Sequence, residues 1–260
     1  MLRAIRVAVL VGMAAASLLP RAALAYVDEV QASTRIEQYK PIYALFGNPE
    51  TKLQMSFRVK MLPLTGLYAG YSQVMLWRLW EESKPFHDLN YNPEIFYRFE
   101  LGDAPSWYVD LGLYEHESNG RSGHDSRSWD RSYIRYSMTH ALSSTSRARI
   151  HWNIKAWVPY NYDYDNTDIA RRRGLYEAQV SLVDAFGTWL DRGDITLRFF
   201  GGGPSHMNPF QGGQELTLRF APRLLSSSAA QIVLQYFHGY GESLLDYDVK
   251  KSVFRAGLGF

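Results

Sequence analysis

The sequence predicts an all-β protein, a 12-stranded antiparallel transmembrane β-barrel formed by residues 41–260. Three observations point there. Apolar and polar residues alternate with period two in segment after segment, the segments number twelve, and beyond the N-terminal leader no run approaches the roughly 18 consecutive apolar residues of a membrane helix. An even count is what a single-chain bacterial barrel requires. Alternation alone also suits a water-soluble sandwich, whose polar face meets bulk water. Apolar side chains toward lipid and Arg, Lys, Gln and Ser toward the lumen are the barrel's version of the pattern. The leader favours that version, as do the 15% aromatic content with 18 Tyr, suited to interfacial girdles, and a final segment ending in Phe260.

Residues 1–25 read as a secretory signal peptide. Arg3 and Arg6 form the basic region, Val7 to Leu19 the apolar stretch, and Ala23-Leu24-Ala25 a small-x-small cleavage site before Tyr26. The apolar stretch is too short for a permanent membrane helix. Residues 26–40 show no clear strand and read as an N-terminal periplasmic segment.

The twelve expected strands are 41–47, 52–62, 66–79, 92–102, 106–118, 128–143, 147–159, 174–186, 193–201, 213–221, 229–240 and 252–260. The second puts Leu53, Met55, Phe57, Val59 and Met61 on one face and Gln54, Ser56, Arg58 and Lys60 on the other. The seventh sets Ile150, Trp152 and Ile154 against Arg149, His151, Asn153 and Lys155. In the last, Phe254, Ala256, Leu258 and Phe260 share a face, similar to the terminal strand that outer-membrane assembly machinery reads. With a periplasmic N-terminus, loops near 80–91 and 160–173 are long and extracellular, and Leu62 to Gly66 and Ser143 to Ser146 are tight periplasmic turns.

With Arg3, Arg6 and Arg21 lost in the leader, the chain's 28 basic and 26 acidic residues come close to balance, and no nucleic-acid footprint remains. The absence of cysteine rules out a disulfide scaffold.

The hairpin 114–131 carries the chemistry. Two strands pairing symmetrically about Gly123 set His116 opposite Asp130 and Ser118 opposite Ser128, and His116 and Ser118 share a face. A nucleophile, a base and an orienting group then meet: Ser118 attacks, His116 takes its proton and Asp130 holds the imidazole. A polar hairpin of this composition also suits a plain solvated loop. The parity raises a second question. Trp107, Val109, Leu111 and Leu113 have one parity in their strand and His116 and Ser118 the other, so either a bulge near Tyr114 switches the phase or the site faces away from those apolar residues.

The two runs His116-Glu117-Ser118-Asn119-Gly120-Arg121-Ser122 and Ser126-Arg127-Ser128-Trp129-Asp130-Arg131 resemble the signature of the outer-membrane phospholipase A family. Further similar stretches are Glu82-Ser83-Lys84-Pro85-Phe86, Asn90-Tyr91-Asn92-Pro93 and Gly239 to Tyr247, so the resemblance covers most of the mature chain. One position departs: the family's usual third residue is Asn, and here it is Asp130.

The resemblance implies a calcium-dependent phospholipase A of the bacterial outer membrane, active as a homodimer on membrane phospholipids, with its site outside the barrel at the outer-leaflet level. It implies Gly120 N–H as one oxyanion donor, and a Ca2+ ion with its water as the second. The matching calcium positions are the Arg121 carbonyl, the Ser126 hydroxyl and the carbonyl of Ser83 of the partner subunit. Oxygen donors suit a hard cation, although no Asp-rich loop marks such a site. Gln73 matches the family's polar interface residue, and it is the polar member of an otherwise apolar face running from Leu67 to Leu79. Competing readings are a lipid A deacylase, which also carries a His-x-Ser pair, and a passive pore or adhesin.

Overall fold

A computed structural model describes residues 36–62, 65–102, 107–186, 192–221 and 230–260. The leader, residues 26–35 and the centre of the expected 62–66 turn lie outside the described residues. The strands are β1 (Ile36–Gln38), β2 (Tyr43–Gly47), β3 (Thr51–Lys60), β4 (Leu67–Trp77), β5 (Phe86–Glu100), β6 (Trp107–Ser118), β7 (Ser128–Ala141), β8 (Arg149–Tyr160), β9 (Tyr176–Val183), β10 (Arg192–Phe200), β11 (Gly213–Ala221), β12 (Gln231–Gly239) and β13 (Lys251–Gly259). From β2 onward each pairs antiparallel with its sequence neighbour, and β13 returns to β2, so the sheet closes.

The closed barrel has twelve staves because β1 and β2 both lie along the same edge of β3 and together make the first one. Residues 36–38, expected to be outside any strand, are thus part of the wall. Between β1 and β2 the chain leaves the ladder, where Pro41 has no N–H to contribute. Tyr39 turns inward there, stacking on Phe96 with ring centroids 5.4 Å apart and accepting a hydrogen bond from Arg135.

Alternation sorts the side chains by face. Met55, Phe57, Ile134, Ile154, Leu197, Leu216 and Phe254 are exposed on the outside, whereas Lys52, Ser56, Glu94, Asp110, Arg135, Glu215 and Arg255 are buried in the lumen. The interior charges are paired: Lys52 with Glu215 at 2.9 Å, Arg198 with Glu215 at 3.0 Å, Arg98 with Asp110 at 2.7 Å, and Arg255 with Glu242. At one end of the barrel Ile169 and Leu244, from loops 161–175 and 240–250, pack among Phe96, Trp129, Tyr133 and Trp157. Loops 78–85, 119–127, 161–175, 201–212 and 240–250 emerge at this end.

β5 begins at Phe86, not near 92, which shortens the expected 80–91 loop. The reason is the polar run His87-Asp88-Leu89-Asn90, which has a lumen-lining strand pattern: Asp88 and Asn90 are buried inside and accept hydrogen bonds from Leu245 N–H and Leu244 N–H.

β6 contains a bulge. Gly112 pairs with Tyr133 and Glu115 with Arg131, so Leu113 and Tyr114 together face the single residue Ser132, whose hydroxyl donates to the Leu113 carbonyl at 3.1 Å. Before the bulge Asp110 and Gly112 point inward; after it Glu115 and Glu117 do, and His116 and Ser118 point out. Gly112 is required there, because a Cβ would meet the Tyr133 ring at 2.2 Å. Past the bulge the phase is held by ion pairs: Glu115 receives Lys155 at 2.7 Å and Arg131 at 3.0 Å, and Glu117 receives Arg131 at 2.8 Å. Removing one member of a buried pair strands its partner's charge at a cost of about 3–5 kcal/mol. Glu115→Leu is therefore expected to lower the unfolding midpoint in detergent sharply and to cut activity, because the same residue keeps His116 facing out; an unchanged midpoint would show that Lys155 finds another partner.

Candidate active site

The register of β6 on β7 pairs His116 with Asp130 and Ser118 with Ser128, as the hairpin's symmetry about Gly123 predicts. His116 Nδ1 lies 2.7 Å from Asp130 Oδ1. An ionised carboxylate only accepts, so Nδ1 carries the proton and the lone pair of Nε2 is left for a base. Ser118 is two residues along on the same outward face, roughly 7 Å of strand rise away. No hydrogen bond joins its hydroxyl to the imidazole among the described residues; in free enzymes such contacts are often long and tighten only with substrate.

Asp130 is buried, and its carboxylate has two further donors that sequence reasoning missed. Tyr114 OH reaches Oδ1 at 3.2 Å and Asn161 Nδ2 reaches Oδ2 at 2.7 Å. The bulge supplies the first by carrying Tyr114 to the outer face. The second comes from the residue after Tyr160, the cross-strand partner of Asp130. From the lumen side Asn92 Nδ2 donates to the His116 carbonyl at 2.8 Å, in the part of the β5–β6 pairing where Pro93 has no N–H to offer.

Loop 119–127 is organised by Asn119, which is buried. Its Nδ2 donates to the Asp125 carbonyl at 2.8 Å, its Oδ1 accepts from Arg127 N–H at 3.0 Å, and its own N–H donates to the Arg127 carbonyl at 3.0 Å. Gly120, next in the chain, has φ +66, and a Cβ there would meet Tyr91 Cε2 at 2.9 Å. A neighbouring loop extends the support: the amide of fully buried Asn166 bonds both the N–H and the carbonyl of Ser128. These asparagines have no signal in hydrophobic periodicity. Asn119 and Asn92 were visible only as parts of the motif stretches 116–122 and 90–93.

Of the expected calcium positions, Arg121 and Ser126 lie in the same loop, 119–127. Ser126 Oγ donates to Asp163 Oδ2 at 2.7 Å, and that bond, with the Asp165 N–H, holds the Asp163 carboxyl below its ordinary range. The Ser126 hydroxyl and the Asp163 carboxylate are hard oxygen donors of the kind that suits calcium. The Arg121 guanidinium turns away to Asp125 and to the His87 carbonyl. Ser83 lies on the exposed 78–85 loop with φ 60. Gln73 faces outward from β4, accepting from Tyr71 OH at 3.1 Å. Elsewhere, Glu50, His87 and Asp246 approach one another, but the Lys251 ammonium already serves them as cation, 2.8 Å from Asp246 and 3.6 Å from Glu50.

A closed barrel, apolar outside and charged within, that carries a carboxylate, an imidazole and a serine on its outward wall defines a class, the membrane β-barrels. The comparisons give the family. The family model described as Phospholipase A1 matches residues 17–260. The phospholipase A1 of Escherichia coli K12 is 32% identical over 223 residues, spanning 81% of this chain and 68% of that protein. A putative phospholipase A1 of Neisseria meningitidis is 31% identical over 225 residues, spanning 81% of this chain and 54% of that one. Among solved structures, the outer membrane phospholipase dimer of Salmonella typhi with bound calcium superposes with a TM-score of 0.69 at 25% identity, covering 88% of this chain and 93% of that chain. The chain belongs to the phospholipase A1 family and is an outer-membrane phospholipase.

The loop geometry predicts that Gly120→Ala lowers kcat by about tenfold or more while costing the barrel only about 1–2 kcal/mol of stability, since φ +66 strains a residue with a Cβ by that amount and the Tyr91 ring blocks relaxation. Wild-type kcat in this variant would show that the loop's backbone conformation is not used.

Proposed function

We propose that this phospholipase hydrolyses the acyl ester bonds of membrane phospholipids through Ser118, His116 and Asp130, at the outer-leaflet level of the outer membrane and with calcium. The observation that carries the reading is the 2.7 Å contact between His116 Nδ1 and Asp130 Oδ1 on the lipid-facing wall, beside an outward serine. Because Nδ1 is committed to Asp130, His116 accepts the Ser118 proton at Nε2 as the hydroxyl attacks the ester carbonyl. The imidazolium then returns that proton to the departing alcohol oxygen, and water repeats the sequence on the acyl-enzyme. Gly120 N–H, next but one after the nucleophile, is the backbone donor to the oxyanion.

Calcium would be held by the Arg121 carbonyl and the Ser126 hydroxyl, with Asp163 beside Ser126, and by the carbonyl of Ser83 of the partner subunit. When bound it supplies a positive charge and an ordered water for the oxyanion. Support comes from the oxygen-donor set and from the dimer with bound calcium seen in the Salmonella typhi relative. Gln73 supports the dimer too: an amide on a lipid-facing wall is costly unless a partner satisfies it. The family membership favours this reading over a passive pore, an adhesin or a lipid A deacylase.

Three outcomes test it in detergent micelles by fatty-acid release. Ser118→Ala abolishes release while the heat-modifiable migration of the folded barrel persists; retention of more than about one per cent of activity removes Ser118 from the role. Chelator stops turnover and calcium restores it together with the cross-linked dimer, and Gln73→Leu weakens the dimer without unfolding the barrel. Full activity of a monomer at every dilution would sink the shared calcium site. Asp130→Asn keeps substantial activity, because an amide still orients the ring although it stabilises the imidazolium less than a carboxylate does, whereas Asp130→Ala loses far more. Equal loss in Asp130→Asn and Asp130→Ala would mean that Asp130 does not act through His116.

A further inference from the structure

Asp130 uses only one of its two carboxylate oxygens on His116. A carboxylate anchored by one oxygen pivots about its Cβ–Cγ bond, and the imidazole it orients pivots with it. On this wall water is a poor restraint, since Asp130 is 4% exposed and its outward neighbours are lipid-facing. The other oxygen, Oδ2, is held at 2.7 Å by Asn161 Nδ2. Asn161 sits at the exit of β8 in the left-handed region, with φ 52, a conformation that Asn tolerates better than most residues. The chain thus leaves the ladder one residue after the partner of Asp130, in a geometry that swings an amide back onto the carboxylate.

We infer that Asn161 is a positioning residue for the ester-hydrolysing site, matched to a carboxylate at position 130: it fixes the plane of Asp130, and through it the ring of His116. This rests on the proposed roles of Ser118, His116 and Asp130. The matching is chemical. A carboxylate at 130 requires a donor at Oδ2, which the Asn161 amide provides. An amide at 130 presents its own NH2 group at that place and requires an acceptor. The Asn161 amide can turn to meet either group at 130, whereas a carboxylate at 161 matches only an amide there. Tyr114 OH, longer at 3.2 Å and on the oxygen His116 already uses, plays the lesser part.

The experiment compares Asn161→Asp, Asp130→Asn and the double exchange Asp130→Asn with Asn161→Asp, purified in detergent micelles with calcium and a diacyl phospholipid. Asn161→Asp sets two carboxylates against each other and is expected to lower kcat by about tenfold or more at little-changed KM. The double exchange restores a donor–acceptor pair and is expected to recover the activity of Asp130→Asn. A purely structural role for Asn161 would not give rescue by a second substitution that is itself no improvement. The downfield NMR resonance of the His116 Nδ1 proton gives a readout that needs no turnover: it is lost or displaced in Asn161→Asp and returns in the double exchange. Should Asn161→Asp fail to fold, Asn161→Gly keeps the left-handed backbone and removes the amide, with the same expected fall in kcat and displaced proton. Wild-type kcat with an unmoved proton in the folded Asn161 variant, or a double exchange no better than Asn161→Asp, overturns the inference. Activity surviving in Ser118→Ala would instead remove the hydrolytic roles, while the proton resonance would still report whether Asn161 holds Asp130.

Discussion

One additional residue in β6 decides which way the site faces. Without the Leu113–Tyr114 bulge, the parity of Val109 and Leu111 would carry through the strand, and His116 and Ser118 would point into a lumen crowded with charge while Glu115 and Glu117 met lipid. The bulge is stabilised from both sides: Gly112 admits the Tyr133 ring, and Glu115 and Glu117 are drawn inward by Arg131 and Lys155. The barrel's buried electrostatics and its outward chemistry are thus two faces of one short run, Glu-His-Glu-Ser, in which successive residues serve opposite compartments.

Around that run the polar supports come from separate strands and loops. Asn92 on β5 holds the backbone of His116, Asn119 closes the hairpin loop, Asn161 reaches Asp130 and Asn166 bonds the backbone of Ser128. Asn92, Asn119 and Asn166 satisfy backbone groups that regular strand pairing leaves open at this end of the barrel, and Asn161 serves a side chain. Amides suit the task because one side chain offers both a donor and an acceptor, and on a wall facing hydrocarbon an unmatched backbone group has no water to turn to.

The wall of the barrel was legible because lipid outside and charge inside impose a strict period of two, and the hairpin register was legible because its polar residues are symmetric about Gly123. The first stave was not: Ile36–Gln38 is too short for periodicity, and its pairing with β3 depends on a break at Pro41 that local sequence does not announce. The start of β5 was hidden for the opposite reason, since His87 to Asn90 are polar as loops are, although two of them line the lumen. Parity flagged the bulge as one of two options but offered no means to choose, because the deciding contacts lie on β7 and β8. The same holds for Tyr114, which the bulge carries to Asp130, and for Asn161, whose meeting with it is a property of the β8 register and of a left-handed turn.

The paired charges inside the barrel bear on how it comes together. Lys52 of β3 finds Glu215 on β11, while Arg255 of β13 finds Glu242 in the loop before it and donates to the Glu50 carbonyl ahead of β3. A partly built sheet, however well hydrogen-bonded along its ladders, leaves several of these ions without counterparts and still in reach of water. For Lys52 with Glu215, and for Arg255 with the Glu50 carbonyl, removal from solvent becomes favourable only when the last strand meets the first. Closure and desolvation of the interior are then a single cooperative event, and an arrested, open intermediate would be recognisable as a wet, ionised sheet before it ever became a wall.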